Sequence, residues 1–394
     1  MRLNAFVARV VLSVSAFLLP ALSFAYDPDA HSADSVHAQV APAAEHTGEH
    51  KKAFNPGKMI IEHISDNHEW HVYGEKHIPL PVIVKTDKGF EMFSSGNFRK
   101  EGGHEFVPYP GKNYTYALKE GKVVVWDMLL DKENEEATKT LLDVSITKNV
   151  VTLFIVVGLM LFFFISVANS YKKRVGQTTK GMQSVFEPLI IFVRDDIAKA
   201  SIGKKYERYM PYLLTVFFFV WISNMLGLIP FFPGGANFTG NITITLCLAV
   251  ITFIITLISA NKNYWRHIFA MPGVPIGVLV ILTPIEIFGM FLKPMVLMIR
   301  LFANITAGHI IALSFYALIF IFAKGGESTG AGLGVSVASV AFCVFMMFLE
   351  LLVAFIQAYV FTLLSAIYFG SAVEEHHHID ENFDGKPNEL AAAH

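Results

Sequence analysis

One arginine constrains this chain more than any other residue. Arg300 lies inside an almost wholly apolar run, residues 288 to 322, with LMIRLFANITAGH (Leu297 to His309) around it. Burying a guanidinium near a bilayer centre costs ~2.5 kcal/mol on insertion scales, and the group cannot escape by shedding its proton. It needs a counter-charge or a wet cavity, and an ionisable group at that depth reads as part of an ion path. Composition agrees with a membrane setting: 53% of the residues are hydrophobic and 16% charged, against roughly 25% charged in soluble domains. A formal net charge of -2 argues against a nucleic-acid partner. Cys247 and Cys343 both fall in apolar runs, where they read as buried free thiols and imply no disulfide framework.

The chain begins with a basic start (Arg2, Arg9), a short apolar run from Val10 to Leu19, and small residues at Ser23 and Ala25. Residues 1–25 therefore read as a cleavable secretory signal, and the segment after them as exported. Residues 26–140 divide into a His-rich, Ala/Asp/Glu-rich linker to about Lys52 and a β-rich module. In the module LPVIVKTDKGFEMF and YALKEGKVVVWD predict two hairpins, turned at Asp87 to Gly89 and at Glu120 to Gly121. Asp131 to Glu136 reads as a polar connector. His68 and His71 in HEWH invite a metal, but no third ligand stands at a recognisable spacing. His376 to His378 read as solvated tail, and no metal or cofactor is expected.

Val150 to Ala168 is the first expected span, followed by Tyr171, Lys172, Lys173 and Arg174, which place its C-terminal end inside. Gly181 to Arg208 is too charged to span and reads as an amphipathic piece on the cytoplasmic surface. Tyr209 to Phe232 and Ile242 to Ala260 are the next spans, with Lys262 and Arg266 again marking the inner side. Val274 to Phe322 and Leu333 to Phe369 are both long; the second would extend ~55 Å as a helix against a ~30 Å hydrocarbon core, which requires a tilt. The expected fold class is an all-α polytopic membrane protein of about five transmembrane helices with an interfacial amphipathic helix, carrying a small β-rich exported module. The membrane domain spans 145–370, and 371–394 forms a cytoplasmic polar tail.

Helical geometry gathers the polar residues of the last two segments. At ~100° per residue Glu286, Lys293 and Arg300 are heptad-spaced and keep to one face, with Asn304 one turn further. Glu350 and Gln357, also seven apart, share a face of the last helix. His309 is nine residues past Arg300, so it points the opposite way ~13 Å along the axis. Two acids, a lysine, an arginine and a histidine are more than interhelical packing bonds require.

These residues resemble subunit a of the F-type ATP synthase membrane sector. The likeness is strongest over KPMVLMIRLFANITAGH (Lys293 to His309) and AFIQAYVFTLLSAIY (Ala354 to Tyr368), supported by NMLGLIPF (Asn224 to Phe231) and Asn241 to Thr245. It covers about Val150 to Gly370; the exported module lies outside it. The resemblance implies a non-catalytic, proton-conducting stator in the cell inner membrane, with no cofactor. Its implied partners are a c-ring of small hairpin subunits bearing membrane carboxylates, b-type peripheral stalk subunits, the rest of the synthase and lipid. By resemblance Arg300 is the essential arginine, Gln357 its neighbour, Asn304 a polar group one turn on, and Glu286 an acid on the cytoplasmic exit. Many relatives carry an acid at the position of His309 and a histidine at that of Glu350. Here the pair is exchanged, which keeps one acid and one imidazole for a relay from the periplasmic side. The competing reading is a freestanding ion-coupled secondary transporter, which would want internal repeats. A haem or quinone subunit would want paired membrane histidines, and only His309 lies well inside a span.

Overall fold

The computed structural model describes residues 57–374 apart from 58–59, 62–63, 74–75, 99–106, 120, 174–177, 179, 230–233, 270, 272–273 and 323–328. The expected signal, the His-rich linker and the histidines of the tail lie outside the described residues.

The N-terminal module is built of short antiparallel strands. β1 (Glu69–Tyr73) pairs with β2 (Lys76–Pro79), and β3 (Pro81–Thr86) pairs with β4 (Gly89–Ser94). β5 (Tyr109–Pro110), β6 (Thr115–Lys119), β7 (Lys122–Asp127) and β8 (Lys132–Glu133) follow one another in a four-stranded sheet. The two expected hairpins are present, β3–β4 and β6–β7. Their turns need positive φ, which Gly89 (125°) and Gly121 (81°) adopt without a Cβ penalty. Val82, Val84, Phe98 and Tyr116 are fully buried between the sheets, and the Phe93 ring stacks on Tyr116 at 5.4 Å between centroids. Glu91 ties one sheet to the other by accepting from the Asn113 amide and the Tyr116 hydroxyl, each at 3.0 Å.

The expected connector at Asp131 to Glu136 is structured instead. β8 extends the sheet through Trp126↔Glu133 and Asp127↔Lys132. Asn134 then caps α1 (Glu135–Lys139), accepting from the Ala137 amide at 3.1 Å. A charged two-residue edge strand has no hydrophobic alternation to betray it, whereas an Asn cap is a recognisable helix start.

The module joins the membrane helices without a loose linker. β9 (Leu142–Asp143) adds to the far edge of β3, and the amides of Val144 and Ile146 continue the ladder to Ile83 and Pro81 at 2.9 and 3.1 Å. At the start of α2 (Lys148–Lys173) the Lys148 amide donates to the Asn67 carbonyl at 2.9 Å, and the Asn149 amide to Asp66 Oδ1 at 3.1 Å. His68, one of the two histidines of the HEWH motif, is buried with its Nε2 3.3 Å from Asp143 Oδ2. Its role here is a close contact to a carboxylate inside the junction.

The membrane part continues as α3 (Met182–Phe192), a π-helical turn (Val193–Lys199), α4 (Ala200–Ile202), α5 (Tyr206–Leu228), α6 (Ile242–Ser259), α7 (Lys262–Phe269), α8 (Ile276–Phe322) and α9 (Thr329–Val373). Among the described residues five helical stretches are long and apolar enough to cross a membrane: 148–173, 182–228, 242–259, 277–319 and 334–373. Gly203, at φ 70°, breaks the second of these between its charged first half and α5. α5 forms the centre, with Leu213, Leu214, Val216, Phe217, Phe218 and Val220 fully buried against the surrounding helices. α8 has 47 residues and α9 has 45, about 70 Å each at ~1.5 Å per residue. Pro284 and Pro294 lie inside α8 without ending it, and α9 runs three residues past the expected boundary at Gly370.

Burial works against the Asp143 carboxylate, yet the His68 ring and the hydroxyl and amide of Ser145 together hold it below its ordinary value of 3.8. A carboxyl lowered by folding stabilises above its unfolded pKa, and that contribution is lost as pH falls through the folded value. Asp143→Asn is therefore expected to speed amide hydrogen exchange at Val144 and Ile146 at neutral pH. The difference from the parent should begin to shrink as pH falls below about 4 and vanish only once pH is below the lowered folded value. Identical exchange at neutral pH would mean that the contact does not secure the junction.

Candidate functional site

The polar residues of the last two helices are sorted by their direction. α8 and α9 pack along their length, with Phe315 stacked on Phe342 at 5.0 Å and Cys343 Sγ 3.7 Å from the Ala312 carbonyl oxygen. The opposite surface of the pair is left uncovered: Met295, Val296, Ile299, Phe348, Leu352 and Ile356 are exposed. Arg300 and Asn304 lie on α8 within this uncovered apolar surface and are exposed as well. Among the described residues no carboxylate lies within ion-pair distance of Arg300. Gln357 is turned inward on α9, 6% exposed. Glu286 and Lys293 are half-buried at the margin of the face. Lys293 Nζ sits 5.9 Å from the Tyr264 ring and 5.6 Å from the Tyr368 ring, a cation held between two aromatic faces.

His309 and Glu350 look away from that face. Glu350 is half-buried, and its Oε1 packs so close to α8 that a Cβ added at Gly308 would meet it at 2.8 Å. The missing side chain at 308 leaves room for the carboxylate to lie against α8. Among the described residues that buried oxygen has no hydrogen-bond partner, which marks a place for water or a transferable proton. His309 turns toward α5, its Nε2 3.8 Å from the position a Cβ would take at Gly227. The imidazole thus belongs to the residue next after the glycine that the carboxylate covers, as the nine-residue offset from Arg300 requires.

Four further polar residues continue from this acid–imidazole pair. Asn224 on α5 donates from Nδ2 to the Ala354 carbonyl at 3.3 Å and accepts from the Thr239 hydroxyl at 2.5 Å. Ser223 and Asn237 are buried, and among the described residues the Ser223 hydroxyl and both amide atoms of Asn237 have no hydrogen-bond partner. Buried polar atoms of this kind are normally satisfied by water. The polar set therefore runs from the 237–239 loop, past α5, to Glu350 and His309, and it is separate from the outward cation at Arg300. Asn224 carried a signal, a polar side chain in an apolar span. Ser223, Asn237 and Thr239 carried none, because a small polar residue at a span end or in a loop is unremarkable.

Residues 150–370 match the family described as ATP synthase A chain, more than half of the chain and all of the outward cation, acid–imidazole pair and inward amide just described. The chain belongs to the ATP synthase subunit a family. An ATP synthase subunit a of Chlorobium phaeobacteroides (strain DSM 266 / SMG 266 / 2430) is 36% identical over 400 residues, covering 99% of this chain and 95% of its own length. ATP synthase subunit a 2 of Chlorobaculum tepidum is 46% identical over 258 residues, covering 64% of this chain and 69% of its own length. A subunit a of Myxococcus xanthus is 38% identical over 252 residues, covering 62% of this chain and 78% of its own length. Residues 59–144 match a separate family described only as a domain of unknown function. Members of the subunit a family are the proton-channel stator of the F0 sector, which sets aside the freestanding transporter.

The glycine at 308 gives a sharp test of the packing. Gly308→Ala is expected to displace the Glu350 carboxylate and lower ATP-driven proton pumping by roughly 10- to 100-fold, the scale of a 1 Å misplacement. Gly158→Ala, where a Cβ meets nothing within 4 Å, should leave pumping unchanged. Full pumping by Gly308→Ala in the assembled complex would show that the close approach is irrelevant.

Proposed function

We propose that Arg300 is the stationary cation of this proton-channel stator, facing a mobile carboxylate supplied by a ring of small hairpin subunits. One observation carries the reading: the guanidinium is exposed on a long apolar face and, among the described residues, has no acid in ion-pair distance. A permanent charge cannot stay uncompensated in hydrocarbon, so the counter-ion comes from another polypeptide. The uncovered apolar residues on either side of Arg300 supply a surface for that partner to slide past.

The chemistry then comes from proximity. Beside Arg300 a ring carboxyl has its pKa lowered and releases its proton; away from it, in lipid, the same group is desolvated and keeps its proton. The fixed positive charge also bars a proton from crossing directly between two offset half-channels. The outer half-channel uses His309 and Glu350, fed by Asn224, Thr239, Ser223 and Asn237. Imidazole and carboxyl both exchange protons with bound water, so the exchanged pair preserves the relay. The inner half-channel uses Glu286, with Lys293 held beside it. Asn304 extends the polar line next to Arg300, and Gln357 supports the arginine from the neighbouring helix. Proton flow through these paths turns the ring, and the chain itself performs no chemistry on ATP.

The same reading gives the topology. Lys172, Lys173, Lys262 and Arg266 mark the cytoplasmic side, so residues 26–140 are periplasmic, 145–370 form the membrane domain, and the tail after Gly370 is cytoplasmic. The membrane is the cell inner membrane, reached through a removable signal at 1–25. b-type peripheral stalk subunits hold the chain still against the ring.

Arg300→Ala is expected to abolish proton-driven ATP synthesis and ATP-driven pumping in membrane vesicles, while ATPase activity of the detached soluble sector stays at the parent level. Normal coupled synthesis by that variant would remove Arg300 from the mechanism.

A further inference from the structure

Among the described residues the module of unknown function reaches the loop beside the candidate path through a buried tryptophan. Trp70 on β1 is 2% exposed, and its indole Nε1 donates to the Gly234 carbonyl at 3.2 Å, a hydrogen bond between residues 164 apart in sequence. Gly234 opens the loop 234–241 that carries the outermost polar residues of the candidate path. The position admits no side chain, since a Cβ there would collide with the carbonyl oxygens of Leu226 and Ile229.

Both ends of this contact are fixed. Just before β1, Asp66 and Asn67 bind the first amides of α2, and His68 contacts Asp143. β1 is therefore fastened to a membrane helix immediately beside Trp70. From Gly234 the loop is tied at each step to the channel helices. The Gly235 amide, in a residue at φ 76°, donates to the Leu226 carbonyl of α5 at 3.3 Å. The Thr239 hydroxyl meets Asn224 at 2.5 Å, and the Gly240 carbonyl accepts from the Thr306 hydroxyl of α8 at 3.3 Å, three residues before His309. Between these ties Asn237 is 6% exposed with neither amide atom partnered among the described residues, so its side chain offers a water-binding group inside the loop.

We infer that the β module is the clamp of the proton-entry mouth: Trp70, as a positioning residue, holds the 234–241 loop so that Asn237, Thr239 and Asn224 align water toward His309 and Glu350. This rests on reading His309 and Glu350 as the outer half-channel. Among the described residues the titratable groups on the candidate path are His309 from α8 and Glu350 from α9; those at the clamp's anchor are Asp66, His68, Asp143 and Lys148, with Glu69 and His77 beside Trp70 on β1 and β2. A β-rich domain fastened to α2 and to the loop transmits no motion of its own. It limits how far the mouth can open or slip.

The test uses the complete synthase in proteoliposomes, with ATP synthesis driven by an imposed pH difference. The outer pH is varied while the inner pH and the membrane potential stay fixed. Trp70→Phe keeps an aromatic ring and removes the indole N–H. Losing one such hydrogen bond, ~1 kcal/mol, predicts a roughly fivefold rise in the outer proton concentration needed for half-maximal rate, with the maximal rate unchanged. Amide hydrogen exchange at Gly235, Phe238 and Asn241 should rise in the same variant. Trp70→His, which retains a ring N–H, should recover part of the shift. An unmoved pH profile in an assembled Trp70→Phe enzyme overturns the inference, and so does unchanged exchange in the loop. Arg300→Ala is run alongside: if it still couples, the channel reading itself fails, whereas a dead Arg300→Ala with an unmoved Trp70→Phe sinks only the clamp.

Discussion

A guanidinium cannot be neutralised and is poorly tolerated by hydrocarbon, and the rest of this membrane domain is arranged around that fact. Within the described residues α8 does not turn Arg300 inward to an acid of its own. It presents the charge on an uncovered surface, with the half-buried acids Glu286 and Glu350 elsewhere on the pair. An internal ion pair would have satisfied the cation and left nothing for a passing carboxylate to do. On the reading proposed above, the absence of such a pair among the described residues leaves Arg300 available to a carboxylate from a partner.

The acid–imidazole pair obeys a different physics. Glu350 and His309 are half-buried and face the helix bundle, where water can be held by otherwise unpartnered oxygens and amides. A group that must load and unload protons has to be neither fully solvated nor fully dry. Gly308 sets that compromise, because the missing side chain lets a carboxylate lie against the neighbouring backbone.

Much of this was legible in the residues. The apolar runs marked the long helices, because an uninterrupted apolar stretch longer than about twenty residues fits a membrane-spanning helix, and the ~100° step alone turns His309 away from Arg300. The module's two hairpins were visible through their Gly turns. β8 was not, since two charged residues in a strand look like a loop, whereas the Asn134 cap of α1 was a signal the reading of 131–136 as a connector passed over. Asn224 stood out inside a span, but Ser223, Asn237 and Thr239 did not, and Trp70 and Gly234 could not be joined by any local pattern. Periodicity reports the face a residue occupies; it says nothing about partners brought together by a fold across 164 positions.

The bare flank of α8 and α9 has a consequence for biogenesis. A newly inserted copy without its rotor would expose a cation and a row of large aliphatic side chains to lipid, inviting bilayer thinning, water leakage and recognition by membrane proteases. Cells making this polypeptide should therefore bring ring and stator together during insertion, so that an orphan never persists long enough to depolarise the membrane.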